Sequence, residues 1–168
     1  MSFPRNVGQC PIYYNHMKTG RPTPSGNVFW SHYTDAPNTP LFPFGYGLSY
    51  TNFTYSQVKT DKESYQLNES IKLSLLLSNT GEFEGEEVVQ VYIQAPSASF
   101  ARPVKELKAF KKIKLAVNEE RKIIFELNQK DLGYYSPEGE FLFESGDYNI
   151  YVGTNSQEVQ KIVVSFIE

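Results

Sequence analysis

Hydrophobic and polar residues alternate along much of the chain from residue 55 onward. Residues 71–77 read Ile-Lys-Leu-Ser-Leu-Leu-Leu, with a hydrophobic side chain at every second position. A period of two puts those side chains on one face of an extended segment, so the pattern predicts a strand with one buried face. Four more segments show the same period, at residues 89–93, 123–127, 148–152 and 162–166.

Turn-forming residues separate these predicted strands. An Asn-Thr-Gly sequence at residues 79–81 ends the first strand, and Gly146 precedes the fourth. Between them, residues 105–115 are basic on one side and apolar on the other. Short strands at this spacing predict an all-β fold, an immunoglobulin or fibronectin type III-like β-sandwich over residues 55–168. Tyr148 suits the tyrosine corner of such a sandwich, where a buried hydroxyl bonds back to the backbone.

Residues 1–54, called the arm below, differ in composition. They hold seven of the ten prolines and only four charged residues. Each proline removes a backbone donor and restricts the residue before it, so no stretch is long enough for a helix. The hydrophobic residues follow neither a helical nor a strand period, yet the aromatic ones are too many for a solvated linker. These aromatic residues are Phe29, Trp30, Phe42, Phe44, Tyr46 and Tyr50. We therefore predict an irregular N-terminal arm that lies on a surface made by something else.

Charge and composition exclude several classes of function. The formal net charge of −3 and a pI near 5.5 provide no basic surface for nucleic acid. The apolar runs are far shorter than the roughly 20 residues of a membrane span, so no span is expected. Cys10 is the only cysteine, which excludes an internal disulfide and a cysteine-based zinc site. The first ten residues lack the basic and apolar regions of a signal peptide.

Catalytic and cofactor chemistry is not indicated. Both histidines, His16 and His32, lie in the arm, which leaves the sandwich without a histidine for a catalytic relay or a metal site. We expect Gly45 and Gly47 to be glycines at turn positions that need a positive φ, and not a phosphate loop. Two groups of carboxylates are interpreted as solvated loops: Glu82, Glu84, Glu86 and Glu87 in one, and Glu138, Glu140 and Glu144 in the other. The sequence thus predicts no catalytic residue, no metal and no cofactor.

Exposed aromatic side chains raise one alternative, because aromatic rings on a β-sandwich can stack on sugars. Tyr134, Tyr135 and Trp30 are the candidates for such a carbohydrate-binding module. Paired tyrosines in these folds also serve as core or corner residues. A third possibility is a sandwich that binds another protein.

Several strings resemble the carboxyl-terminal end of a family 3 glycoside hydrolase of the bacterial periplasmic β-glucosidase type. The two specific ones are Pro-Phe-Gly-Tyr-Gly-Leu-Ser-Tyr at residues 43–50 and Arg-Pro-Val-Lys-Glu-Leu at residues 102–107. The others lie in order along the chain, at residues 3–9, 13–16, 19–22, 79–81, 89–92 and 146–153.

The resemblance implies a domain organisation and a function. In that family a (β/α)₈ barrel and an α/β domain precede a fibronectin type III-like domain, and the barrel supplies the nucleophile of a retaining mechanism. Residues 1–54 would then be the tail of the α/β domain plus a connecting arm, and residues 55–168 the fibronectin type III-like domain. The parent enzyme would hydrolyse β-glucosides in the periplasm or outside the cell, and its barrel and α/β domains would be the partners of this chain.

The resemblance also implies that this chain alone is structural and inactive, since neither catalytic carboxylate motif occurs in it. Three arm residues, His16, Arg21 and Trp30, are weak candidates for contact with substrate at the rim of the parent's cleft.

Overall fold

The structure is a computed structural model that describes residues 1–18, 33 and 35–168. Within them, strands follow one another with two short helical turns, a 3₁₀ turn at Val7–Gln9 and α1 at Gln129–Leu132. The strands are β1 (Phe53–Thr60), β2 (Ser64–Gln66), β3 (Ile71–Asn79), β4 (Gly85–Gln94), β5 (Glu106–Leu115), β6 (Glu120–Leu127), β7 (Tyr134–Tyr135), β8 (Phe141–Leu142), β9 (Gly146–Gly153) and β10 (Val159–Ile167).

Two sheets form the sandwich. The first has the strand order β1-β3-β6, and the second has the order β2-β10-β9-β4-β5. Neighbouring strands are antiparallel except for β2, which runs parallel to β10. The predicted all-β sandwich is confirmed, and the five predicted strands correspond to β3, β4, β6, β9 and β10. Because β1 begins at Phe53, the sandwich starts close to the predicted boundary at residue 54; that boundary itself stays a prediction.

The core lies between the two sheets and follows the alternation in the sequence. Leu73, Leu75 and Leu77 of β3 are fully buried and face Val89 and Val91 of β4. Burial of a side chain of this size contributes about 1.5–3 kcal/mol. The alternation was readable in the sequence because each of these strands has one face in the core.

The tyrosine corner is confirmed. The Tyr148 side chain is buried, and its hydroxyl donates to the carbonyl oxygen of Glu144 at 2.9 Å. Its ring packs edge-on against Phe166 of β10, at 5.4 Å between ring centroids. The hydroxyl bond fixes the loop before β9, while the ring fills the core.

Of the basic segment at residues 105–115, residues 106–115 form β5, a strand at the edge of the second sheet. Lysines repeat along it, which discourages another chain from pairing with its open side. Lys111 is exposed but shares one side of β5 with Ala109 and Ile113; its ammonium donates to the Ile124 carbonyl and lies 5.0 Å from the ring of Phe125. A lysine at this position interrupts the two-residue period of apolar side chains, so the sequence shows a basic segment where the structure has a strand.

The described part of the arm makes two passes beside the second sheet. Phe3 pairs with Phe42 through backbone hydrogen bonds, which join the first pass (residues 1–18) to the second (residues 35–50). The buried Gln9 side chain donates to the carbonyl of Pro37 at 2.6 Å. The prediction of an arm that lies on another surface holds in part: some of that surface is this chain's own sheet.

Candidate functional site

The arm meets the second sheet in a cluster of three aromatic rings. The ring of Tyr14 stacks on Phe44, with 4.2 Å between centroids. Both rings meet Tyr92 of β4 nearly edge-on, at 5.7 and 6.5 Å. Tyr92 points away from the core but is fully buried by the arm, and this burial raises the pKa of its hydroxyl. We call these three residues the junction cluster.

Gln90, two residues before Tyr92 on β4, fastens the second pass of the arm. Its amide nitrogen donates to the carbonyls of Gly45 at 3.1 Å and Thr154 at 2.5 Å. Its amide oxygen accepts from the Tyr92 hydroxyl. Beside it, the backbone N–H of Ser156 donates to the Phe44 carbonyl at 2.9 Å. One side chain therefore links the arm, the outer face of β4 and the turn between β9 and β10.

Gly45 is required at this point of the arm. Its φ of +83° is one that side chains disfavour, and a Cβ there would lie 2.2 Å from the Gln90 amide oxygen. Gly47 has no such φ, and a Cβ on it would meet nothing within 4 Å. The prediction of positive-φ turn glycines is correct for Gly45 and wrong for Gly47.

The first pass of the arm is held by the loop before β5 and by the start of that strand. The Val104 N–H donates to the His16 carbonyl at 2.9 Å, and Met17 bridges to Pro103. The Leu107 N–H donates to the Tyr14 hydroxyl at 3.3 Å. The loop that receives the arm is thus the Arg-Pro-Val-Lys-Glu-Leu string.

Two cations stiffen that loop. Arg102 is buried, donates to the Leu132 carbonyl at 2.8 Å and to Glu106, and lies 4.8 Å from the ring centroid of Tyr134. Lys105 donates to the Ser156 carbonyl at 2.6 Å, and its partial burial lowers the pKa of the ammonium. Both side chains are bonded to other residues of the fold, so we assign them a structural role and not one in ligand binding.

Of the three predicted substrate-contacting residues, only His16 lies in the part of the chain that the structure describes. His16 is exposed, and its Nδ1 lies 3.0 Å from the carbonyl of its neighbour Met17. Arg21 and Trp30, like His32, lie outside the described residues. The expectation of a contact with substrate therefore stays a prediction for all three candidates.

The paired tyrosines have separate surroundings. Tyr134 is half-buried and donates to Glu144. Tyr135 is 71% exposed, but its ring meets Phe141 edge-on at 5.5 Å, so the two rings do not form a flat platform for a sugar. The bonds of Tyr134 are those of a structural residue.

The interpretation of the carboxylates as solvated needs two corrections. Glu87 is on the core side of β4 and half-buried; it accepts a bond from the Tyr55 hydroxyl at 2.8 Å, and its burial raises the pKa of the carboxyl. Glu144 accepts from Ser99 and Tyr134, and these bonds, first those of Ser99, lower its pKa. Glu87 connects β4 to β1 because its strand directs it to the core side, and Glu144, in the loop before β9, connects that loop to Ser99 and Tyr134. Among the residues described, no three His, Cys, Asp or Glu side chains are grouped to hold a metal ion.

The arm also carries an unusual exposed surface. Of the twenty large hydrophobic residues that are exposed in the described ranges, eleven belong to the arm. Leu48 is 89% and Tyr50 98% exposed. Phe42 lies between Phe3 and Tyr46, with ring centroids 6.3 and 4.9 Å away. Such a concentration is typical of an interaction surface.

Comparison with known proteins gives the chain its family. The family model of the fibronectin type III-like domain matches residues 87–156. A periplasmic β-glucosidase of Salmonella typhimurium is 41% identical over 96% of this chain, and a β-xylosidase of Formosa agariphila is 40% identical over 94%. The crystal structure of a Listeria innocua β-glucosidase with glucose superposes on all of the chain, with a TM-score of 0.92 and 42% identity. This chain contains a fibronectin type III-like domain and is homologous, along almost its whole length, to one part of family 3 glycoside hydrolases.

The chain corresponds to a small part of these enzymes. It spans 21% of the Salmonella and Formosa proteins and 24% of the Listeria chain. It is an accessory domain and does not contain their catalytic region. No helix among its described residues is long and apolar enough to cross a membrane.

The contact between Tyr14, Phe44 and Tyr92 was not predicted from the sequence, although one signal was present. Tyr92 falls at a polar position of the alternating pattern, between Val91 and Ile93. A large aromatic residue on the outer face of a strand indicates that something covers it.

Proposed function

We propose that the chain is the structural accessory domain of a parent enzyme that hydrolyses terminal β-D-glucosyl residues by a retaining mechanism. The observation that carries this proposal is the match of the entire chain to about a quarter of the Listeria β-glucosidase. Residues 1–54 would be the tail of the preceding α/β domain and the connecting arm, and residues 55–168 the accessory domain itself.

The chemistry of the proposed reaction supports a role without catalysis. Retaining hydrolysis needs two carboxyl groups about 5–5.5 Å apart on either side of the bond that is cleaved. The two carboxylates that the fold engages, Glu87 and Glu144, are bonded to Tyr55 and to Ser99 and lie in different parts of the sandwich. The barrel and α/β domains of the parent would therefore supply both catalytic groups.

The sugar and the compartment come from the relatives. The Salmonella and Listeria relatives carry the name β-glucosidase, which favours β-glucosides as substrates. The Formosa relative is a β-xylosidase, so β-xylosides are the second candidate. The Salmonella enzyme is named periplasmic, which favours a periplasmic or secreted parent.

Two activity assays test the proposal. The purified chain, given p-nitrophenyl β-D-glucoside and β-D-xyloside, should release no nitrophenol above the buffer rate. A graft that replaces the corresponding quarter of the Listeria enzyme with this chain should hydrolyse the glucoside. Hydrolysis by the chain alone, or a folded graft without activity, would contradict the proposal.

A further inference from the structure

The two sheets of the sandwich have four edge strands among the described residues, and three of them are unsuited to pairing with another chain. β2 has only three residues, and β5 is rich in lysine and has a register shift. β1 also has a register shift, after Ser56, and Gln57 there has a φ of +51°. Across the gap to the second sheet, the Gln160 amide nitrogen donates to the Tyr55 carbonyl at 3.0 Å. Short strands, bulges and lysines keep an edge from pairing, so these three edges are closed.

β6, the fourth edge strand, is neither short nor bulged. Its eight residues pair with β3 in a continuous register. Lys122, Ile124 and Glu126 lie on its solvent side, and the Ile124 side chain is 50% exposed. A long, regular edge with an apolar residue at its centre is a template for a strand from another chain.

One side chain from the facing sheet, Lys111 of β5, occupies the centre of this edge. Its ammonium donates to the Ile124 carbonyl and lies 5.0 Å from the centroid of the Phe125 ring. Because the Ile124 carbonyl accepts from the facing sheet, it points away from β3. The alternation of an antiparallel ladder then turns the backbone groups of Lys122 and Glu126 outward as well. Lys111 thus blocks the central acceptor of an otherwise open row of backbone groups.

The edge of β6 is complementary to itself. When two copies of the strand are laid antiparallel with Ile124 opposite Ile124, Lys122 of each copy stands opposite Glu126 of the other. Opposite charges directly across two strands stabilise their pairing. In the described part of the chain neither of these two side chains is in an ion pair, although Lys72 of β3 stands opposite Glu126. A self-complementary contact of this kind closes as a two-fold dimer.

We propose that the edge of β6 is a pairing site for a second copy of this chain and that Lys111 keeps it closed in the monomer. In the dimer, the Ile124 N–H of each copy donates to the Ile124 carbonyl of the other, which requires that the Lys111 ammonium leave that carbonyl. The two Ile124 side chains then meet on the solvent side, with a Lys122–Glu126 pair on either side of them. The proposal goes beyond the hydrolase function, and its failure would leave that function unaffected.

Sedimentation equilibrium of the whole chain with Lys111→Met tests the proposal. Methionine keeps a flexible side chain over the Phe125 ring but cannot donate to the Ile124 carbonyl. We expect its self-association to be at least about tenfold tighter than that of the original chain, because neither copy has to break a charged hydrogen bond first. The matched control is Lys112→Met on the opposite side of β5, where the lysine pairs with Glu86 at 2.6 Å. Equal association constants for the two variants would overturn the proposal.

Charge reversal shows whether the copies meet at β6. Added to Lys111→Met, the substitution Lys122→Glu places a carboxylate opposite Glu126 of the other copy. The dimer should then weaken about tenfold or more, because attraction becomes repulsion at two symmetric positions. Further addition of Glu126→Lys restores opposite charges at both positions and should restore the dimer. A dimer that is indifferent to Lys122→Glu, or that the second reversal does not recover, would place the contact elsewhere and contradict pairing at β6.

Amide hydrogen exchange gives a second measurement at the strand itself. In the dimer the Ile124 amide gains a hydrogen-bond acceptor, so it should exchange at least about tenfold more slowly than in the original chain. A dimer in which this amide exchanges at the original rate would overturn the proposal. Urea midpoints of all variants distinguish pairing of folded chains from association of unfolded ones. If Lys111→Met does not fold, Lys111→Ala replaces it with the same expected results.

Discussion

At the scale of single residues, Asn79 organises one end of the sandwich. Its amide oxygen accepts from the Thr51 hydroxyl at 2.7 Å and the Gly81 N–H at 3.1 Å. Its amide nitrogen donates to the carbonyls of Phe83 at 2.8 Å and Leu115 at 3.2 Å. All four bonds are made by a side chain that is only 1% exposed, so the residue joins the end of the arm to two loops.

Replacement of Asn79 should therefore be costly. We expect Asn79→Ala to lower the free energy of unfolding by about 2–4 kcal/mol, because several buried polar groups lose their partner. Urea denaturation followed by tryptophan or far-UV signals measures the loss. The matched control is Asn52→Ala, at an exposed asparagine just before β1, which should change stability by less than about 0.5 kcal/mol. Similar losses in both variants would contradict this role of Asn79.

Glu87 should make stability depend on pH. Burial raises the pKa of its carboxyl above the usual 4.5, so the folded state binds the proton more tightly than the unfolded state. The stabilisation that results from this tighter proton binding is present below pH 4.5 and is lost as the pH rises through the folded-state pKa. Glu87→Gln removes the titrating group. The free energy of unfolding of the variant, relative to that of the original chain, should therefore increase as the pH rises from 4.5 through the folded-state pKa of Glu87.

Glu86, in the same strand, should make stability depend on pH in the opposite direction. Its exposed carboxyl pairs with Lys112, whose hydrogen bond lowers the pKa of Glu86, so this contribution is lost as the pH falls. Urea midpoints of Glu87→Gln and Glu86→Gln from pH 3.5 to 8 should diverge in opposite directions from the original chain. Parallel curves would show that Glu87 titrates as an ordinary surface carboxyl.

At the scale of elements, the arm is a segment without a regular structure that the sheet holds in place. Each of its two passes is fixed by a backbone bond: the Val104 N–H donates to the His16 carbonyl, and the Ser156 N–H donates to the Phe44 carbonyl. Between these bonds, the junction cluster supplies the apolar contact. An irregular segment can be ordered in this way because its backbone groups find partners outside itself.

Tyr14 should control whether the first pass stays on the sheet. Tyr14→Ala removes the ring that stacks on Phe44 and the hydroxyl that accepts from Leu107. The amides of Val104 and Ser156 should then exchange with solvent about tenfold faster or more, since the arm opens more often. Its neighbour Tyr13 is 54% exposed, so Tyr13→Ala should leave both rates unchanged. Equal rates in the two variants would show that the cluster does not hold the arm.

At the scale of the whole molecule, the residues that stabilise the fold and the residues that form an exposed apolar surface lie in different places. The core between the sheets is apolar and closed, the outer face of the second sheet carries the arm, and the arm carries the exposed apolar surface. The exposed rings outside the arm, such as Phe110 and Tyr135, are dispersed singly or in edge-on pairs. The molecule is thus arranged to support another protein surface and not to collect sugars.

A titration tests this arrangement against the carbohydrate-binding alternative. Cellobiose and laminaribiose, added to the labelled chain up to about 10 mM, should leave the amide signals of Tyr134 and Tyr135 in place, because the rings of Tyr135 and Phe141 form no flat platform. A site with a Kd of about 1 mM, or about −4.1 kcal/mol, would be mostly occupied at that concentration and its signals would shift. Signals from the arm should be dispersed, because the described part of the arm is bonded to the sheet. Saturable shifts that Tyr135→Ala abolishes would establish sugar binding instead.

The sequence by itself determined the sandwich. Strands β3, β4, β6, β9 and β10 each have one face in the core, and a two-residue period records that fact locally. The tyrosine corner was also predictable, because Tyr148 stands at a fixed place relative to the Gly-Asp turn. The family resemblance came from strings that combine turn glycines with aromatic residues, above all residues 43–50 and 102–107.

Only the tertiary structure decided where the arm lies and what Gln90, Tyr92 and Glu87 do. Each of these side chains interacts with residues far away in the sequence: Gln90 with Gly45, Tyr92 with Tyr14, and Glu87 with Tyr55. A periodic pattern reports which face of a strand is covered by the core, but it carries no information about a second layer on the outer face. For that reason the edge strand β5, the inward Glu87 and the two sides of the arm became visible only when the chain was folded.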